Sequence, residues 1–170
     1  MLFRSFATKS IVVLLADLDH FKSINDRLGH ATGDRVLRIF SKEVRQRLGS
    51  GALFGRLGGE EFAILLRNAG NAKGLAAAER IRLCFEAAAA TMDGRPLGAT
   101  VSIGMVTSES GPHNINALLA QADEALYCAK ERGRNRVETT SYQPPPDVPK
   151  YPDRKQTVRR KRKMARPDAA

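Results

Sequence analysis

The chain has 170 residues, 42% hydrophobic and 27% charged, with a formal net charge of +10; this balance excludes a wholly unfolded chain and suffices for one domain with its own core. The charge is lopsided: residues 1–138 hold 19 Lys and Arg against 15 Asp and Glu, whereas residues 139–170 hold 9 against 3. The body is therefore only mildly basic, which argues against a dedicated nucleic-acid binder, and no run approaches the ~20 apolar residues of a membrane span.

Residues 1–9 are short, mixed and uninformative. Arg4 and Lys9 ahead of Ile11-Val12-Val13-Leu14-Leu15-Ala16 imitate a secretion signal, but the apolar run is short and stops at Asp17. A cytoplasmic chain is expected. Two cysteines, Cys84 and Cys128, lie far apart without CxxC spacing, which fits a reducing compartment and small buried positions rather than a disulfide or zinc.

Ile11 to Ala16 reads as a strand buried on both faces, ending in Asp17-Leu18-Asp19-His20-Phe21-Lys22. Ser23 to Asp34 is polar and glycine-punctuated, hence loop or a broken helical turn. Leu37, Phe40, Val44 and Leu48 mark a helix that Gly49-Ser50-Gly51 stops. Residues 52–67 form a hairpin around Arg56-Leu57-Gly58-Gly59-Glu60-Glu61-Phe62, where glycines permit a tight reversal and close approach of a phosphate. Leu75, Ala78, Ile81, Phe85 and Ala88 mark a second helix, broken at Asp93-Gly94-Arg95-Pro96. Thr100 to Val106 alternates as a half-buried strand. A third helix runs from about Asn116 to Lys130, with Leu118, Ala122, Ala125, Leu126 and Ala129 inward; Gly133 ends it, before a short strand at Arg136-Val137-Glu138. The order β-α-β-β-α-β-α-β predicts an α+β domain over residues 1–140 with helices on one side of the sheet. Residues 141–170, with Pro144-Pro145-Pro146 and Arg159-Arg160-Lys161-Arg162-Lys163, predict a disordered tail whose contacts with anionic surfaces are weak.

The acidic groups carry the chemistry. Asp17 closes one strand, and Glu60 and Glu61 sit on a hairpin that can lie beside it. Carboxylates on adjacent strand ends make a hard-oxygen site suited to Mg or Mn with a phosphate substrate. Lys22, Lys130 and Arg134 can balance phosphate charge. Taken singly, each of these is more often a solvated surface charge. Tyr127 and Cys128 are expected to pack, His20 and His30 to be structural or near the ligand, Arg56 to be a pairing residue, and Asp19 either to touch the metal or, pointing away from Asp17, only to pair with a neighbouring cation.

Asp17-Leu18-Asp19-His20-Phe21-Lys22-Ser23-Ile24-Asn25-Asp26, Gly29-His30-Ala31-Thr32-Gly33-Asp34, the Gly58-Gly59-Glu60-Glu61-Phe62 signature, Thr100 to Gly104 and Ala122 to Asn135 stand in one order. Together they resemble the GGDEF domains, the bacterial diguanylate cyclases, over about residues 10–138. The resemblance implies a nucleotidyl-cyclase-like palm fold, a central, mostly antiparallel sheet of about five strands flanked by helices. It implies condensation of two GTP into cyclic di-GMP with release of two pyrophosphates, between two copies of the domain that associate transiently. Asp17, Glu60 and the Leu18 carbonyl would hold Mg or Mn, two ions per half-site. Glu61 would orient or deprotonate the 3′-hydroxyl. Asn25 and Asp34 would read guanine, and His20, Phe21, Lys22, Gly58, Gly59, Lys130 and Arg134 would line the rest of the substrate site.

Two departures matter. Where many members carry an R-x-x-D product-inhibition site, this chain has Gly49 and Ala52. The D-x-L-T-x-L-x-N-R stretch that usually precedes the first strand is not found, and a mostly monomeric chain is expected. The alternatives are a non-catalytic GTP or cyclic di-GMP receptor and a truncated, inactive fragment of the same fold.

Overall fold

A computed structural model describes residues 10–109 and 113–144. The elements are β1 (Ile11–Leu18), α1 (Phe21–Leu28), α2 (His30–Arg47), β2 (Ala52–Gly58), β3 (Glu61–Arg67) and α3 (Asn71–Ala88), followed by β4 (Thr91–Met92), β5 (Arg95–Pro96), β6 (Val101–Ser108), α4 (Ile115–Glu131) and β7 (Val137–Ser141). Five strands form one sheet in the order β2-β3-β1-β6-β7, and β4 pairs with β5 in a separate two-stranded sheet. Every pairing in the large sheet is antiparallel except β6 with β7.

β1 is the axis of the sheet, paired on both sides, and its unbroken apolar run reflects burial of both faces. The pleat sends Val12, Leu14, Ala16 and Leu18 into the larger core with α2 and α3, and Val13 and Leu15 into a smaller one with Leu118, Ala122 and Leu126 of α4. On the larger side Phe40 joins three elements, with its ring 4.8 Å from Phe62 of β3 and 5.1 Å, edge-on, from Phe85 of α3. On the other side α4 seats directly on β6 at Gly104, where an added Cβ would run into the backbone of Ala122 and Leu126. Asn114 caps α4, its Oδ1 accepting from the amides of Asn116 (3.1 Å) and Ala117 (3.2 Å).

Several expectations change. Helices cover both faces of the sheet, because α4 crosses to the side opposite α2 and α3. The glycine-punctuated stretch 23–34 is helical, with α1 and α2 meeting at Gly29 (φ 82); packing of Phe21, Ile24, Val36 and Leu37 outweighs the glycines. β6 is buried along its whole length, since α3 and α4 cover its two faces. Asp93-Gly94 turns the extra β4–β5 hairpin. Leu75 and Ala88 point outward, while Gly74 takes the close contact with Val12 and Met105. Tyr127 is 64% exposed, Cys128 is exposed and Cys84 half-buried, because α4 and α3 each bury only one stripe. The body also extends past Thr140: Tyr142 donates its amide to Thr107 (2.9 Å), and Gln121 Nε2 to Gln143 O (2.6 Å). The readings made for residues 1–9 and for the basic tail from residue 145 lie outside the described residues. Among the described residues, no helix is long and apolar enough to cross a membrane.

Candidate active site

Asp17 is the last odd residue of β1, so the alternation that buries Val13 and Leu15 aims it at the α4 layer. There Lys130 Nζ lies 2.9 Å from Asp17 Oδ2. Across the strand pair Asp17 is in register with Glu61, which puts the two side chains on one face. The Leu18 amide donates to Glu60 O at 3.3 Å, tying the hairpin turn to the end of β1. The turn is tight because Gly59 adopts φ 51, a region L side chains avoid. Arg56 braces it, Nε donating to Gly59 O at 2.7 Å, beside a register shift between Arg56 and Gly58.

The electrostatics of this corner are unbalanced. Burial raises the Asp17 carboxyl above its ordinary range, the hydrogen bond and charge of Lys130 pull it back, and the charges of Glu60 and Glu61 push it up again. Asp17 thus feels the charge of two further carboxylates against that of Lys130. Glu60 is half-buried and Glu61 exposed, so both are open to a ligand.

A second group lies where α1 meets α2. Asn25 packs onto Gly33 so closely that a Cβ there would collide with its Oδ1, and Phe21 Cζ lies 3.1 Å from the same point. Asn25 Oδ1 is buried without a hydrogen-bond partner among the described residues, an acceptor waiting for a donor. Asp34, next in sequence to Gly33, is exposed and lines a groove of about 470 Å³ with Leu37, Arg38, Ser41, Lys42, Arg45 and Arg56. His20 and Lys22 line a separate open depression with Ser23, Asp26 and Arg27. Arg134 sits in the loop after α4 with φ 63. The structure therefore brings Asp17, Leu18, Glu60, Glu61 and Lys130 to one sheet corner, and Phe21, Asn25 and Asp34 to one helix junction. It leaves His20 and Lys22 on a different depression from Asp34.

The family described as "Diguanylate cyclase, GGDEF domain" matches residues 3–136. The chain belongs to the GGDEF domain family. This GGDEF domain is 39% identical over 139 residues to the probable diguanylate cyclase DgcF of Escherichia coli K12, covering 79% of the chain and 44% of that protein. It is 41% identical over 128 residues to diguanylate cyclase DgcP of Pseudomonas aeruginosa, covering 75% and 19%. The chain thus spans less than half the length of these relatives. Among solved structures, the active GGEEF domain of a diguanylate cyclase from Vibrio cholerae superposes with a TM-score of 0.72 at 32% identity, covering 81% of this chain and 85% of that one. The coiled coil and GGDEF domain of DgcB from Caulobacter crescentus, in complex with c-di-GMP, gives 0.72 at 30% identity, covering 78% and 70%.

The donor set of this GGDEF domain fits a hard divalent cation. Asp17 and Glu60 offer carboxylate oxygen; burial first, and then the charges of Glu60 and Glu61, raise the Asp17 carboxyl against the pull of Lys130. Among the described residues no group of three or more His, Cys, Asp or Glu side chains stands placed to hold a metal ion; Asp17 turns toward Lys130 instead.

One expectation about this corner is corrected. Asp19 pairs with no cation among the described residues. It is buried, accepting from the hydroxyls of Thr100 and Ser102 and from the amide of Asn135. Sequence reasoning passed over Ser102 and Asn135 as partners. The available signal was a strand hydroxyl at a position whose neighbours are all apolar.

Proposed function

We propose that the chain is a diguanylate cyclase, joining two GTP into cyclic di-GMP and releasing two pyrophosphates. The reading is supported by the register of Asp17 with Glu61, the bond of the Leu18 amide to Glu60 O and the Asp17–Lys130 pair at one sheet corner, in a member of this family. In each half-reaction the 3′-hydroxyl oxygen of one GTP bonds to the α-phosphorus of the other. The bond to pyrophosphate breaks, and the hydroxyl proton passes to the Glu61 carboxylate and on to water. Mg or Mn, two ions per half-site, held by Asp17, Glu60 and the Leu18 carbonyl, would neutralise triphosphate charge and ease departure of pyrophosphate. Lys130 then exchanges Asp17 for the triphosphate, alongside Lys22 and Arg134. Asp34 accepts from guanine N1–H and N2–H, and Asn25 Oδ1 accepts a further base donor; adenine lacks that pair and leaves the acceptors unmatched. One domain holds one GTP, so the two nucleotides meet between two protomers.

The test is formation of cyclic di-GMP and pyrophosphate from GTP and Mg, followed over a dilution series. Specific activity should climb with protein concentration, and a dimeric coiled coil fused to the N-terminus should raise it by raising effective concentration. Glu60→Gln should lower turnover by roughly 10³-fold with an unchanged circular dichroism spectrum. A folded Glu60→Gln variant working at the parental rate would overturn the site. Flat specific activity in a protein that stays monomeric would overturn the two-protomer mechanism.

A further inference from the structure

We propose that Asp19 and Asn135 form a clamp that holds the Arg134 loop in place against the end of β1 and so sets the affinity for the triphosphate; this rests on the diguanylate cyclase reading. Asp19 is only 3% exposed. Its Oδ1 accepts from Ser102 Oγ at 2.7 Å, and its Oδ2 from Thr100 Oγ1 at 2.7 Å and the Asn135 amide at 3.1 Å. A buried carboxylate met only by neutral donors is costly, and well-packed apolar groups often serve stability as well. What this one does is join the end of β1, the start of β6 and the loop between α4 and β7.

The loop is an unusual one to hold. Gly133, Arg134 and Asn135 take φ values of 110, 63 and 44 in succession, a left-handed run that non-glycine residues adopt only where surroundings enforce it. The enforcement is visible. Asn135 Oδ1 accepts from Arg82 at 2.9 Å, and its Nδ2 donates to Glu86 at 2.7 Å, anchoring the loop on α3. The Arg134 amide donates to Ala129 O at 3.0 Å, and its carbonyl accepts from Arg136 Nε at 3.2 Å. The backbone of Arg134 is thus tied down, while its guanidinium takes no partner among the described residues. A fixed backbone with a free cation is a preorganised anion receptor. Asp19 and Asn135 touch no substrate; they are positioning residues.

The clamp acts on the phosphate side alone, and that separates it from a general structural role. Affinities for GTP and GMP are compared by calorimetry on the full chain, with Ca in place of Mg to hold back turnover. Asp19→Ala should lower GTP affinity about tenfold and leave GMP affinity within about twofold. Asp19→Asn should restore GTP affinity, because its Oδ1 can accept from Asn135 and Thr100 while its Nδ2 donates to the Ser102 hydroxyl. Asp19→Ala combined with Arg134→Ala should be no worse than Arg134→Ala alone, since both act through one contact. A folded Asp19→Ala variant with the parental GTP-to-GMP ratio, or additive effects with Arg134→Ala, would overturn the clamp. If Asp19→Ala does not fold, Asn135→Gly serves. It keeps the left-handed backbone and the amide but removes the ties to Arg82 and Glu86. It should lower GTP affinity about threefold with GMP unchanged, and an unchanged ratio there also overturns the clamp. A parent chain that binds GTP no better than GMP would instead overturn the nucleotide reading itself.

Discussion

Asp17 and Asp19 stand two residues apart at the end of one strand, and both are buried, at 8% and 3% exposure. Their surroundings are opposite. Asp17 faces α4, with one lysine to set against two further carboxylates, and its carboxyl is pushed upward by burial and by Glu60 and Glu61. Asp19 faces β6 and the loop after α4, where three neutral donors match its two oxygens. On the proposed function the first is an unfinished site that gains from a ligand, whereas the second is matched by its donors. Buried charge therefore serves two ends within one turn of chain, and the partner set, not depth, tells them apart.

The largest expected effect comes from neutralising the unfinished partner. Asp17→Asn should lower cyclic di-GMP synthesis by roughly 10³-fold, about 4 kcal/mol of transition-state stabilisation. The same variant should melt at higher temperature than its parent at neutral pH without divalent metal. The sign follows from the raised carboxyl: the folded parent holds Asp17's proton more tightly than the unfolded chain, so its penalty is present above the raised value. As pH falls through that value the parent takes up the proton, and the advantage of Asp17→Asn disappears. Melting curves of both proteins from pH 7 to pH 4 check this, and a gain that grows toward acid would contradict it.

A smaller effect should follow from separating the two regions. Gly104→Ala drives a methyl group into the α4 backbone at Ala122 and Leu126, lifting Lys130 away from Asp17. Urea denaturation should show a loss of about 3 kcal/mol. Smaller again is damage to the finished side. Ser102→Ala strips Asp19 Oδ1 of its donor in a fully buried position, and the same denaturation should register a loss of about 2 kcal/mol. If Ser102→Ala is neutral, the contrast between the two aspartates fails.

How much of this could be read in advance varied with the kind of signal. The inward stripe of α4, Leu118, Ala122, Ala125, Leu126 and Ala129, was legible and is buried throughout, because helical periodicity is written in the residues themselves. The hairpin around Gly58-Gly59 was legible for the same local reason. The segment 23–34 was only half legible, since its polar residues and glycines read as loop or a broken helical turn, and the packing of α1 and α2 decides for helix broken at Gly29. The fate of α4 was also hidden: a stripe of apolar residues says that a face is buried, not which side of the sheet buries it.

The sequence by itself determined the five strands of the large sheet and the helices α2, α3 and α4 in their order, the doubly buried axis strand and the motifs that mark a GGDEF domain, because local periodicity and residue type carry that information. Only the tertiary structure decided which carboxylate meets which partner. Asp17 and Asp19 are the same residue on the same strand end. Lys130 lies 2.9 Å from one, while Ser102, Thr100 and the Asn135 amide satisfy the other. Those partners come from positions between 81 and 116 residues away, brought in by the packing of β6 and α4 against β1, and no local pattern specifies contacts at that separation.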